Sequence, residues 1–244
     1  MRLEGKVAVI TGVSHPGQMG FALAGFFAEE GATLVIASRS AERVAARVAE
    51  LQTRGARVKG VAVDLTSEQG AQRLVEEAVA WQGRIDVLVN LAGGLTKYGP
   101  PHEYSLQDWE KELNNNLRTA FLCTRAVWPV MLAQGGGKII NFSRAYSIQN
   151  AGAQTLAYNC AKAGVDALTR TFAQAGKAVG IYVNAIAPGL IATQSNLDEL
   201  HPSPEELRAR WVSPREIAEV AIFLATAASD GVTGAIIPVQ GRGI

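Results

Sequence analysis

Short apolar runs alternate with helix-length segments from one end of the chain to the other, and this constrains the fold more than any other feature. The runs are Val7 to Ile10, Thr33 to Ala37, Val58 to Val63, Ile85 to Val89, Lys138 to Phe142, Tyr182 to Ile186 and Ala235 to Val239. They show little polar alternation, as expected of strands buried on both faces. Between them lie Ala41 to Arg54, Ser67 to Trp81, Leu106 to Ala133 and Leu156 to Ala178, each long enough to form a helix. A strand that returns parallel to its predecessor needs a crossover, and a helix laid on the sheet face supplies it. The expected fold class is therefore α/β, a doubly wound and mainly parallel sheet of about seven strands.

Glycine and proline fall mostly at the junctions, and no fixed-period repeat, low-complexity tract or linker divides the chain. With 244 residues, 48% of them hydrophobic, the chain can bury a large core, so residues 1–244 read as one domain. The least regular stretches, Leu91 to Ser105 and Leu190 to Pro204, follow the carboxyl ends of predicted strands. Open α/β sheets bind ligands there, so these are the expected substrate-facing loops.

The 23 basic and 22 acidic residues nearly cancel, which gives no reason to expect a nucleic-acid or membrane partner and favours a small-molecule substrate. The run Met1 to Lys6 passes into the first strand without an apolar signal core, and the apolar runs are too short and broken to span a membrane. Cys123 and Cys160 are too few for a metal site and share no CxxC spacing. The expectation is a cytoplasmic protein with reduced thiols and no metal.

After the first strand comes Thr11-Gly12-Val13-Ser14-His15-Pro16-Gly17-Gln18-Met19-Gly20, then the helical run Phe21 to Glu29. A glycine-rich turn that opens a helix lets a pyrophosphate approach backbone N–H groups and the positive helix end. Gly12, Ser14, Gly17 and Gly20 are the candidate phosphate-facing positions, with His15 beside them. The second strand ends Ser38-Arg39-Ser40, where NAD-binding chains place a carboxylate for the ribose 2′-OH. A hydroxyl and a guanidinium suit the 2′-phosphate of NADP instead.

Tyr158 and Lys162 are four residues apart within a predicted helix, so their side chains share a face. A phenol titrates near about 10 and needs a neighbouring cation to exchange a proton at neutral pH. Lys162 is placed to supply that field.

Together these elements resemble the short-chain dehydrogenase/reductase family, and the resemblance spans essentially the whole chain. The turn is similar to the family's TGxxxGxG loop, with two additional residues between Gly12 and Gly20. Asp64-Leu65 resembles its adenine-contacting pair, and Asn90-Leu91-Ala92-Gly93 its NNAG element, with Leu91 the odd residue. There Asn90 is implied to steady the sheet while the Ala92-Gly93 backbone lies against the cofactor. Leu113 to Leu117 matches the "VNL" segment, with Asn116 at the active position and Asn115 the alternative in register. Three consecutive asparagines are poor helix formers, and an interruption there would let Asn116 hold a water relay towards Lys162. Lys162 is also implied to bind the nicotinamide ribose. Pro188-Gly189-Leu190-Ile191-Ala192-Thr193 resembles the PG element, whose backbone from Pro188 through Gly189 to Ile191 borders the nicotinamide, with Thr193 on its carboxamide or the diphosphate. Thr233 to Gly241 resembles the closing strand.

One departure stands out. Family members carry a serine thirteen residues before the tyrosine, where its hydroxyl polarises the substrate carbonyl, but that position here is Ala145. With one extra loop residue, Ile140-Asn141-Phe142-Ser143-Arg144 puts Arg144 at the serine position. Three readings stay open: Ser143 serves through a register shift, Ser147 reaches in from the loop, or Arg144 replaces the hydroxyl or disables the site. Ser143 ranks first.

The resemblance implies a Rossmann fold with strand order 3-2-1-4-5-6-7, a homotetramer, and reduction of a carbonyl by NADPH with Tyr158 as acid. A 3-oxoacyl thioester leads among substrates, with sugars, steroids and small ketones behind it. The rival is an NADP-binding protein without turnover, in a regulatory or structural role, because of Arg144.

Overall fold

The computed structural model describes residues 1–145 and 153–241. The first half of the chain runs β1 (Val7–Thr11), α1 (Met19–Glu29), β2 (Thr33–Ser38), α2 (Ala41–Thr53), β3 (Val58–Ala62), α3 (Glu68–Gln82) and β4 (Val87–Asn90). Then follow α4 (Leu106–Leu113), a π-helical turn (Asn114–Arg118), α5 (Thr119–Ala133), β5 (Gly137–Phe142) and α6 (Leu156–Gly176). The remainder is β6 (Ile181–Pro188), β7 (Leu190–Ile191), α7 (Gln194–Leu200), α8 (Pro204–Arg210), β8 (Trp211–Val212), α9 (Pro214–Ala225) and β9 (Ile236–Val239).

Seven strands form one sheet in the order β3-β2-β1-β4-β5-β6-β9, and every neighbouring pair is parallel. This is the expected Rossmann-type class and order. One apolar layer sets Leu23, Phe27 and Ile222 of α1 and α9 against Ile10, Leu34 and Val89. The other sets Leu74, Ala78, Val127 and Met131 of α3 and α5 against Val9, Val35, Leu88 and Ile139. Both sheet faces are thus covered, and water is excluded from the unbroken apolar runs that made the strands legible.

Local signals set the helix starts. Ser40, Ser67, Ser105 and Ser213 each accept a backbone N–H at their helix N-terminus, and Ser105 and Ser213 form capping boxes with Asp108 and Glu216. The chain reverses direction around the sheet between β1 and β4, so the carboxyl ends of these two strands open a crevice of the kind that receives nucleotides.

Three features differ from the sequence expectation. The segment Leu106 to Ala133 is not one helix, because the asparagine triplet winds into a π turn between α4 and α5. Residues 190–212 are not an irregular loop, since β7 and β8 pair as a separate two-stranded parallel sheet around α7 and α8. Their apolar positions are too few and too local to produce a readable period. Helix α9 also went unread, although Ser213-Pro214-Arg215-Glu216 carries a helix-start signature. No helix among the described residues is long and apolar enough to cross a membrane.

Candidate active site

At the carboxyl end of β1, Gly12 adopts φ +80°, and a Cβ there would lie 2.9 Å from the Ala92 backbone. A Cβ on Gly20 would collide with the Gly12 carbonyl oxygen, so α1 can begin this close beneath the turn only with glycine. Thr11 Oγ1 fastens the neighbouring loop by donating to the Val89 carbonyl (3.2 Å) and accepting from the N–H groups of Leu91 and Ala92 (3.0 Å each).

A cavity of about 280 Å³ opens over this frame. Among its walls are the expected Gly12, Ser14, His15, Ser38 and Arg39 from the β1 and β2 ends. Asp64 and Leu65 after β3, and Ala92 and Gly93 after β4, complete them. Gly17 lies elsewhere: its carbonyl accepts from Ser195 N–H at the start of α7 (3.1 Å). Gly20 contributes by packing, as described above.

The cavity also includes Arg43, which sequence reasoning missed. Ser40 caps α2 through the Arg43 N–H, and Arg43 Nη1 lies 2.9 Å from His15 Nε2. Arginine can only donate, so this nitrogen of His15 is an acceptor. The readable signal was a second arginine four residues after Arg39, on the first turn of a capped helix. Ser38 Oγ is buried without a hydrogen-bond partner among the described residues. The Asp64 carboxyl is held below its usual range by the Thr66 N–H and hydroxyl, with Arg39 adding a smaller pull.

Tyr158 and Lys162 both lie on α6. Lys162 is buried and donates from Nζ to the Phe142 carbonyl at the end of β5 (2.8 Å), 5.5 Å from the centre of the Tyr158 ring. Burial lowers the Lys162 pKa to about 8, opposed by Asp166 and Glu112. Tyr158 keeps part of its ring exposed, yet desolvation pushes its phenol up to about 12, with Arg144 opposing the rise and Glu112 and Tyr98 reinforcing it. The sequence reading gave that opposing role to Lys162, and Arg144 is a further cation that opposes the rise.

Asn116 sits buried in the π turn, with its side chain fully engaged. Nδ2 donates to the Gly94 carbonyl and to Glu112, and Oδ1 accepts the Gly94 N–H (2.9 Å). It shapes the loop beside the cavity. Neighbouring Asn115 lines the cavity. Asn90 directs its amide onto Thr124 of α5 (3.0 Å) and Asn141 of β5 (2.9 Å).

Glu112 is a second missed residue. It is completely buried and accepts from Thr96 Oγ1 (2.9 Å), from the N–H groups of Thr96 and Lys97, and from Asn116 Nδ2. Nothing in a charged residue of an amphipathic helix marks it as buried before the loop folds over it. Glu112→Ala leaves those donors without their acceptor, and a loss of about 2–4 kcal/mol in unfolding free energy is expected. Urea unfolding of both proteins measures it; an unchanged midpoint refutes the assignment.

Ser143 is buried, with Oγ 3.5 Å from the Lys162 carbonyl and its hydroxyl acting on half-buried Asp166. Its polar atom therefore addresses the α6 backbone and Asp166. Ser147 lies outside the described residues. Arg144 instead bonds through Nη1 to Asn159 Oδ1 (2.6 Å) and Thr155 Oγ1 (3.1 Å), with its guanidinium 5.7 Å from the Tyr158 ring centre. Ala145 N–H donates to the Pro188 carbonyl (3.0 Å), which runs this segment alongside the Pro188-Gly189 turn. Ile191 pairs with Val212 in the small sheet, and Thr193 caps α7 by accepting the Asn196 N–H (3.3 Å).

A doubly wound sheet with a glycine-lined cavity at its β1/β4 crevice and a half-buried tyrosine beside a buried lysine at the β5 end defines a dinucleotide-dependent oxidoreductase scaffold. The profile of the Enoyl-(Acyl carrier protein) reductase family matches residues 12–241. The chain belongs to the short-chain dehydrogenase/reductase family. It is 36% identical to the 3-oxoacyl-[acyl-carrier-protein] reductase FabG of Thermotoga maritima, over 99% of this chain and 98% of that one. It is 39% identical to the (2S)-[(R)-hydroxy(phenyl)methyl]succinyl-CoA dehydrogenase subunit BbsD of Thauera aromatica, over 99% and 97% of the two chains. Among solved structures, a 7α-hydroxysteroid dehydrogenase complexed with NADH and 7-oxo glycochenodeoxycholic acid superposes with a TM-score of 0.88. That pair is 32% identical, over 100% of this chain and 96% of the other.

Proposed function

We propose that this protein is an NADPH-dependent reductase of carbonyl compounds in which Tyr158 is the proton donor. The observation that carries the reading is the Tyr158–Lys162 pair, with Lys162 Nζ anchored on the Phe142 carbonyl and 5.5 Å from the phenol ring. Burial keeps the phenol protonated at neutral pH, the state required to donate to a carbonyl oxygen as it gains negative charge. In the reverse direction the same phenol must lose its proton, so alcohol oxidation gains on carbonyl reduction as pH rises.

The residues fit a phosphorylated dinucleotide. The partnerless Ser38 Oγ, exposed Arg39 and Arg43, and a glycine turn with no room for a Cβ provide donors and close approach for phosphates. When bound, NADPH supplies the hydride. Gly12, Ser14 and His15 would hold its phosphates, with Ser38, Arg39 and Arg43 on the 2′-phosphate and Asp64 and Leu65 at the adenine. Ala92, Gly93, Lys162, Pro188, Gly189, Ile191 and Thr193 would border its nicotinamide half. The NADH in the steroid dehydrogenase leaves the choice of nicotinamide to each chain's own residues at the β2 end.

The preference is testable. Arg39→Ala and Arg43→Ala are each expected to lower kcat/KM for NADPH by roughly 10-fold while leaving NADH use nearly unchanged. Equal losses with both coenzymes would count against 2′-phosphate recognition.

The substrate class proposed is a ketone or 3-oxoacyl thioester, and the direct test is NADPH consumption against a panel of both. Arg144 at the serine position favours a second reading, in which NADPH binds but nothing turns over. Restoration of activity by Arg144→Ser would favour that reading. We propose further that the protein is a cytoplasmic homotetramer, supported by free thiols at Cys123 and Cys160 and by exposed Phe121 and Leu132 on α5. Light scattering that gives the mass of one 25.8 kDa chain would exclude the tetramer.

A further inference from the structure

Among the described residues, Arg144 is a cation without a counter-ion. None of the ion pairs among the described residues includes it. Its two hydrogen-bond partners, Asn159 Oδ1 and Thr155 Oγ1, are neutral, so they fix the guanidinium's position and leave its charge uncompensated. Both use Nη1, leaving the other nitrogens of a half-buried side chain to make further bonds.

The electrostatic setting sharpens the point. Thr155 is the residue that precedes the first turn of α6, a helix of 21 residues, so Arg144 stands at a positive helix end, where a cation is disfavoured. Lys162 adds a second amine on the same helix. Two carboxyl groups act on that lysine: Glu112, already engaged by Thr96, Lys97 and Asn116, and half-buried Asp166, whose pKa is raised by burial. Neither is paired with Arg144. An unpaired, partly desolvated guanidinium at a helix N-terminus is costly for folding, and an arriving anion offsets that cost.

Position then states what the anion must be part of. The Arg144 guanidinium carbon lies 5.7 Å from the Tyr158 ring centre, with the Ser143 to Ala145 segment hydrogen-bonded along the turn at Pro188. A molecule whose reacting oxygen meets the phenol places substituents only a few bonds away against Arg144. Arginine stays protonated at neutral pH, so it cannot act as the acid, but its planar fork matches a carboxylate in two parallel bonds.

We propose that Arg144 is a substrate-recognition residue that selects oxo acids and hydroxy acids, compounds carrying a carboxylate within a few bonds of the reacting carbonyl or carbinol. This rests on the reading of Tyr158 as the acid at this site. It replaces the neutral hydroxyl expected there with a charged clamp, so the departure from the family pattern changes what is bound and does not abolish binding.

Two measurements test it, and the first needs no turnover. Calorimetric titration of the protein saturated with NADP⁺ compares 2-, 3- and 4-oxo acids with their methyl esters. At least one acid is expected to bind roughly 10- to 100-fold tighter than its ester, and Arg144→Met is expected to remove that difference while Arg144→Lys keeps part of it. Equal affinity of acid and ester in the unaltered protein, for every chain length, overturns the proposal without reference to any variant.

The second measurement is kcat/KM for the same pairs. Arg144→Met should lower the value for the acid by 10- to 100-fold more than that for the ester. Equal losses for acid and ester would place Arg144 on the carbonyl itself, and gains for both with Arg144→Ser would make it an obstruction; either refutes the recognition role. If acids bind through Arg144 but nothing is reduced, the oxidoreductase reading fails and the recognition role stands.

Discussion

Tyr158→Phe is expected to lower kcat for carbonyl reduction by roughly 10²- to 10⁴-fold and to leave NADPH affinity unchanged. The substitution deletes one oxygen from a ring seated between Lys162 and Arg144, whose charged groups lie 5.5 and 5.7 Å from its centre. The packing survives because the ring survives. What disappears is the proposed proton donor, whose pKa, raised to about 12, keeps it loaded throughout the neutral range. A matched loss in kcat and kcat/KM, with KM little changed, is the signature of a group that acts only in the transition state. Single-turnover kinetics, with NADPH binding followed by fluorescence, separate the two quantities. Retention of more than about a tenth of the rate would remove Tyr158 from the chemistry.

Lys162→Met tests the same site through folding stability. The ammonium of Lys162 is buried, and its pKa falls from 10.5 in the unfolded chain to about 8 in the folded one. Between those values the unfolded state binds more protons, so raising the pH stabilises the folded protein. The stability associated with this depressed pKa is therefore present at high pH and lost as pH falls through about 8. The unfolding free energy of the unaltered protein, measured against Lys162→Met, should rise by about 2 kcal/mol from pH 8 to 10.

Tyr158 titrates with the opposite sign and higher up. Its raised pKa contributes stability that is complete below pH 10 and lost as the pH climbs towards about 12. The lysine contribution is thus best read below pH 10. Urea unfolding of both proteins at half-unit steps from pH 7 to 10 gives the difference directly. Parallel curves would mean that Lys162 is solvated in solution and that its bond to the Phe142 carbonyl does not persist.

Together the two experiments describe a site held at a cost. A buried amine of depressed pKa weakens the fold in the neutral range, whereas a phenol of raised pKa carries no such penalty there. Each is retained where a proton has to move, the usual relation between perturbed titration and function.

Much of this arrangement was legible in the chain alone. The seven strands could be read because both sheet faces are covered, which turns each buried strand into an unbroken apolar run. The glycine turn, the Ser38-Arg39 end of β2 and the Tyr158–Lys162 spacing are local patterns, carried by residues a few positions apart. The asparagine triplet announced a weak helix, and a π turn stands there. By contrast, α7, α8 and the β7–β8 pair left little trace, because their few apolar positions form no period within so short a span.

Sequence by itself determined most of the residues drawn into the site, Arg43 and Glu112 excepted, because helix and strand periods and turn chemistry depend only on near neighbours along the chain. Tertiary structure alone decided how those residues are charged and which way they point. Glu112 becomes buried only when Thr96 and Lys97 close over it, Ser143 turns its hydroxyl towards α6, and Arg144 is held against Tyr158 by two residues from the start of that helix. Desolvation and Coulomb interactions depend on distance through space, and contacts between residues 11 to 51 positions apart cannot be read from a pattern that repeats every two or four.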